Sequence, residues 1–179
     1  MNLHDLPPGF DDPVEALLGF HRRIERQLAA IGQLPTHIEV RGTDAESSAT
    51  AATLLAFFSE AIDLHHADED ELLPMLEMRM SEAVERDGMR DLRYRLEAEH
   101  REIGRTWKGI ARPLEAIAEG VHRRLPVDLV HYFRALHATH ISMEEAHLHL
   151  AASRRLLPCD RAALGRGMVA RRTRRHRFQ

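Results

Sequence analysis

Apolar residues recur every three or four positions along four long stretches, and each stripe is interrupted by groups that belong in water. The first runs through Val14, Leu17, Ile24, Leu28 and Ile31, with His21 among them. The second is Ala51, Leu55, Phe58, Ile62, Leu72 and Leu76, with His65 and Glu69 at the intervening places. The third is Leu92, Leu96, Ile103, Trp107, Ile110, Leu114 and Ile117, interrupted by His100. The fourth passes through Val130, Phe133, His137, His140, Glu144, His147 and Ala151, with Leu129, Leu136, Leu148 and Leu150 beside it. Such spacing marks one face of an α-helix. It predicts an all-α chain, an antiparallel up-down four-helix bundle with a short C-terminal helix and a basic tail.

Capping residues set the expected boundaries. Asp12-Pro13-Val14-Glu15 offers an N-cap, a proline at the first helical position and an acid three residues after the cap. The first helix is expected to end before Pro35, with Thr36 to Gly42 as a connection. Thr43 with Glu46 offers the next capping box. Pro74 should kink or end the second helix within a turn or two. Ser81 or Asp87 can restart the chain, and Gly120 with Leu125-Pro126 marks the turn before the fourth helix. Asp160 can cap a short fifth helix through about Ala170, weakened by Gly165 and Gly167, and the last ten residues are expected to be disordered. Residues 1–153 are thereby assigned to the bundle and 154–179 to a basic extension.

His65 and Glu69 lie four apart, as do His140 and Glu144, so each pair stacks on one helix face. If the helices pack antiparallel, with the second ending near Met80, the polar positions fall at compatible levels. The inward set is then His21, His65, Glu69, His100, His140 and Glu144. A carboxylate in a dry core needs a partner. Imidazole suits iron, zinc, copper and nickel, and two carboxylates can each bridge a pair of cations, so a dinuclear site is favoured over a single ion. His66 and Asp70 share the same spacing but continue no apolar stripe, so they are assigned to a neighbouring or solvated face. Asp68, Asp70 and Glu145 are candidates for orienting the imidazoles.

Composition narrows the setting. The 179 residues are enough for one sizeable core, and 44% hydrophobic with 30% charged residues is the balance of a globular chain rather than a disordered one. No run of eighteen apolar residues exists, and MNLHDLPPGFDD has neither a basic nor an apolar leader segment, so no membrane span or secretory signal is expected and a cytoplasmic location is. The lone Cys159 cannot form an internal disulfide. Nine arginines from Arg154 onward against the single acid Asp160 give the tail +8 and the rest −11, within a total of −3. Docking of this tail on its own acidic body is preferred to an external polyanion, and nucleic acid is not an expected partner because no aromatic residues interleave the arginines.

The order His, His-x-x-x-Glu, His, His-x-x-x-Glu on four successive helices resembles the hemerythrin-like (HHE cation-binding) domain family from about Asp12 to Ser153. His65-His66-Ala67-Asp68-Glu69-Asp70, followed by Leu72-Leu73-Pro74, and His140-Ile141-Ser142-Met143-Glu144-Glu145 are similar to its two signature segments. The resemblance implies two iron ions, oxo- or hydroxo-bridged, with Glu69 and Glu144 bridging and the four histidines terminal; zinc and manganese are the alternatives. Oxygen-carrying members have a second histidine four residues before the third-helix ligand, where this chain has Leu96. The matched residues, with a bridging oxygen, would fill about ten of roughly twelve places on two octahedral ions. His66, His137 and His147 are candidates for the remainder. The implied partner is a small diatomic ligand or peroxide, bound or sensed. A di-iron enzyme reducing oxygen, peroxide or nitric oxide or donating iron for repair, and a metal-free or zinc-bound helical interaction module, stay open; catalytic residues and oligomeric state are not legible.

Overall fold

The computed structural model describes residues 10–176. Among them the chain order is α1 (Pro13–Arg41), α2 (Ala45–Ala56), a π-helical segment π1 (Phe57–Ala61), α3 (Ile62–Arg79), α4 (Ala83–Ala118), α5 (Val127–Met143), a second π-helical segment π2 (Glu144–His149), α6 (Leu150–Arg155) and α7 (Pro158–His176). Both π segments are continuous with the helices around them. The fold is the all-α helical bundle that the apolar stripes predict. No described helix is long and apolar enough to cross a membrane. The expectation that no leader segment occupies the N-terminus concerns Met1–Gly9, which lie outside the described residues.

Asp12 caps α1 as expected, its Oδ1 accepting the amides of Val14 at 3.1 Å and Glu15 at 3.3 Å. The helix does not end before Pro35. A proline inside a helix costs about 3 kcal/mol, but Leu34 and Ile38 continue the stripe and are 3% and 2% exposed. Burying two such side chains contributes roughly 1.5–3 kcal/mol each, enough to carry the helix onward. It stops at Gly42, whose φ of 76° only glycine adopts readily, and the Gly42 amide closes on the Ile38 carbonyl at 2.9 Å. The expected connection from Thr36 is therefore helix up to Arg41.

The cap of α2 is Asp44, one residue after the expected Thr43. Ser47 N–H donates to Asp44 Oδ1 and Asp44 N–H to Ser47 Oγ, both at 2.8 Å. Pro74 lies inside α3, which ends at Arg79, close to the Met80 that the matching of levels requires. Ser81 lies just ahead of α4, which passes Pro113 and ends at Ala118.

The described residues divide into two compact units. The first takes the residues up to His21, then 63–97 and those from Ser142 on; the second takes 22–62 and 98–141. In the first, Val14 and Leu17 of α1, Leu72, Leu73 and Leu76 of α3, Leu96 of α4 and Leu148 of π2 share one buried cluster with Leu164 and Met168 of α7. In the second, Phe58 of π1 packs against Trp107 and Phe133, with ring centres 5.0 and 5.1 Å away.

The C-terminus differs most from expectation. α7 continues past Ala170 to His176, so the residues from Ala170 to His176 are helical rather than disordered; Arg177–Gln179 lie outside the described residues. Its apolar face enters the cluster just named, and Arg171 and Arg172 grip Asp68 of α3. Gly167 permits this approach, since a Cβ there would collide with the carboxylate of Glu71.

Candidate metal centre

Within the first unit, His21, His65, Glu69 and Glu144 each offer a ligand atom, all within 4.8 Å of one another and all buried. The neighbouring stripes explain the placement. His21 sits between Leu17 and Ile24 on α1, and His65 and Glu69 sit between Ile62 and Leu72 on α3. Nε2 of His21 lies 3.2 Å from Glu144 Oε2 and 3.7 Å from Glu69 Oε1; Nε2 of His65 lies 3.0 Å from Glu69 Oε1. The His65 ring is stacked on Phe20, at 4.5 Å, and stands edge-on to His21, at 5.0 Å. His66 is half-buried and Asp70 exposed.

Burial opposes a charge on His21, but hydrogen bonding and attraction from Glu144 and Glu69 outweigh it and raise its pKa from 6.5 to about 10. Without metal, the His21 imidazolium thus faces two buried carboxylates, Glu69 and Glu144. A cation entering between them would displace the His21 proton.

The outer faces of the imidazoles are also held. His21 Nδ1–H donates to Glu145 Oε1 at 3.1 Å, which leaves Nε2 pointing at the carboxylates. In the second unit His140 Nδ1–H donates to Glu99 Oε2 at 2.9 Å, and its Nε2 lies 3.1 Å from Nε2 of His100. A carboxylate behind a ring nitrogen is the arrangement that orients ligating histidines. Two nitrogens bound at right angles to one ion, each about 2.1 Å away, stand about 3.0 Å apart, so the His100 and His140 spacing suits a metal. Glu145 was legible as an orienting candidate; Glu99 was not, because Glu and Arg crowd that part of α4 and nothing in the sequence singles it out.

The remaining candidates separate clearly. His137 is buried against Phe58 and Phe133, and its Nδ1–H donates to the Phe133 carbonyl at 3.1 Å. His147 is exposed and lines a cleft of about 600 Å³ with Met80, Met89, Leu92 and Met143. Asp68 is not an orienting group for an imidazole; it is fully buried and bound by Arg171 and Arg172, each at 2.7 Å.

A buried residue that the stripe misses is His149, 4% exposed, with its ring centre 4.9 Å from that of His21. The cause is π2. Its wider turn pairs residues five apart, so the inward face leaves the expected His147 and Ala151 for Leu148, His149 and Ala152. The faint signal is the apolar series Leu148, Ala152 and Leu156: Leu148 lies about five full turns beyond Val130 at 3.6 residues per turn, so it and not His147 continues the buried face. Burial first, and then the neighbouring His21, lower the His149 pKa to about 4.

A family model described as the hemerythrin HHE cation binding domain matches residues 12–152. An uncharacterized protein of Haemophilus influenzae is 25% identical to this chain over 165 residues, covering 91% of each. The match extends from the cap of α1 into α6 and takes in His21, His65, Glu69, His100, His140 and Glu144: the chain belongs to the hemerythrin HHE cation-binding domain family.

Proposed function

We propose that this protein is a non-haem di-iron protein that binds or senses oxygen or a related small molecule. The observation that carries the reading is the buried group His21, His65, Glu69 and Glu144, two imidazoles and two carboxylates whose ligand atoms all lie within 4.8 Å of one another. The family's order of ligands would add His100 and His140 to the residues that hold metal. Iron pairs so held supply the redox capacity that diatomic molecules or peroxide require. The protein's own part is to hold the imidazoles by Glu145 and Glu99, to keep water out with the Phe20 ring over His65, and to take up or release a proton at His21 Nε2. A cytoplasmic setting belongs to the same proposal.

The basic C-terminus supports this reading over an interaction module, since Arg161, Arg171 and Arg172 are engaged with Asp12, Asp68 and Glu71 of the same chain. The visible spectrum of iron-loaded protein, followed on exposure to oxygen, nitric oxide and hydrogen peroxide, tests it. A spectral change saturating with one of these supports the proposal; an iron-loaded protein indifferent to all three contradicts it.

A further inference from the structure

His149 is buried, and neither ring nitrogen has a hydrogen-bond partner among the described residues. Buried polar atoms nearly always have one. A residue present only to fill space at this position would better be apolar, since an imidazole gives up its water and gains nothing in return. The local helix is also distorted in the way that brings this ring inward. In a regular α-helix, residues five apart point about 140° away from each other; π2 begins at Glu144 and ends at His149, and both are buried.

The surroundings say what the ring faces. Glu69, Glu144, His21 and His65 all act on it electrostatically. Its ring centre is 4.9 Å from that of His21, and the His21 to His65 separation is 5.0 Å. Two imidazoles bound at right angles to one ion, with nitrogens about 2.1 Å from it, have ring centres roughly 4.5–5 Å apart. His149 is not among the four residues whose ligand atoms lie within 4.8 Å of one another, so a side-chain rotation must accompany its joining them.

We propose that His149 is a fifth protein ligand to the ion held by His21, His65, Glu69 and Glu144. This rests on reading the site as a metal centre. The group would then offer a third imidazole beside His21 and His65, in a chain that has Leu96 four residues before His100.

The test uses the full chain, loaded without oxygen with Fe(II) and in parallel with Co(II), whose absorption reports its coordination. His149→Leu should leave the melting temperature of the metal-free protein unchanged or raised, because a poorly satisfied imidazole is removed. It should also weaken retention of one of the two ions against a chelator by at least about tenfold, and alter the Co(II) bands. His149→Ala should show the same loss, partly restored by free imidazole, and His149→Gln carries the comparison should leucine disturb π2. His147→Ala, on the exposed side, should behave as the parent protein does. Retention and Co(II) spectra unchanged in every His149 variant would overturn the assignment while leaving the metal centre standing. A parent protein that takes up neither metal would overturn both.

Discussion

Nε of Arg171 lies 2.7 Å from Oδ1 of Asp68, a carboxylate with no exposed surface one residue before Glu69. Arg172 holds the other oxygen at 2.7 Å, so α7 neutralises a charge that α3 buries beside its ligand residue. Replacing both arginines with alanine strands that carboxylate. The expected loss is roughly 3 kcal/mol, the low end for breaking a buried pair because the arginines reach solvent. Denaturant unfolding of the double variant measures it, and a loss under about 0.5 kcal/mol, the scale of a surface substitution, would contradict it.

The two glycines Gly167 and Gly88 should respond to alanine to different degrees. At Gly167 the new methyl meets the carboxylate end of Glu71, which must swing away from Arg171, so the gain in helix preference is offset and Gly167→Ala should melt below Gly88→Ala. At Gly88 nothing stands within 4 Å of the added carbon, and the residue lies within α4, so Gly88→Ala should stabilise by roughly 0.5–1 kcal/mol. Thermal melts of both decide whether the α7 packing is as described.

These cases also show what periodicity can and cannot reveal. The four stripes and the burial of His65 and Glu69 over Asp70 follow from a constant 3.6-residue period, and the Asp12 cap from its side-chain oxygen. Pro35 misleads because a local rule against proline is outweighed by Leu34 and Ile38, whose burial depends on partners far along the chain. His149 is hidden for a different reason. A π turn changes the period itself, so His149 is buried together with Glu144 although a 3.6-residue period sets the two about 140° apart. α7 runs further than its periodicity indicates because Arg171 and Arg172, polar by count, bind the buried Asp68, far away in the sequence.

Metal removal should expose the His21 proton. With its folded pKa raised to about 10, the His21 contribution to metal-free stability is fully present below pH 6.5 and is lost as pH rises toward 10. The metal-free protein should therefore weaken across that range more than a His21→Gln variant does. Loading at pH 7–8 should release about one proton per chain from this residue, measurable by titration calorimetry in buffers of different ionisation enthalpy. Metal binding without proton release would contradict the imidazolium.

Glu145 and Glu99 should matter to metal binding without touching the metal. Each accepts Nδ1–H of an imidazole, His21 and His140 respectively. Their alanine variants should fold normally and bind iron about 10- to 100-fold more weakly, as chelator competition reports. Parent-like affinity in both would remove the case that these carboxylates orient ligands.

The most direct measurement is the iron content of untagged protein after anaerobic loading and gel filtration, compared between the parent chain and the variants Glu69→Ala, His65→Ala and Asp70→Ala. The expected result is about two irons per chain in the parent and in Asp70→Ala, as in helix-bundle carboxylate proteins, with most of the iron lost in Glu69→Ala and His65→Ala. Equal iron in all four proteins, or none in the parent, would contradict the assignment of the buried His21, His65, Glu69 and Glu144 group as a di-iron centre.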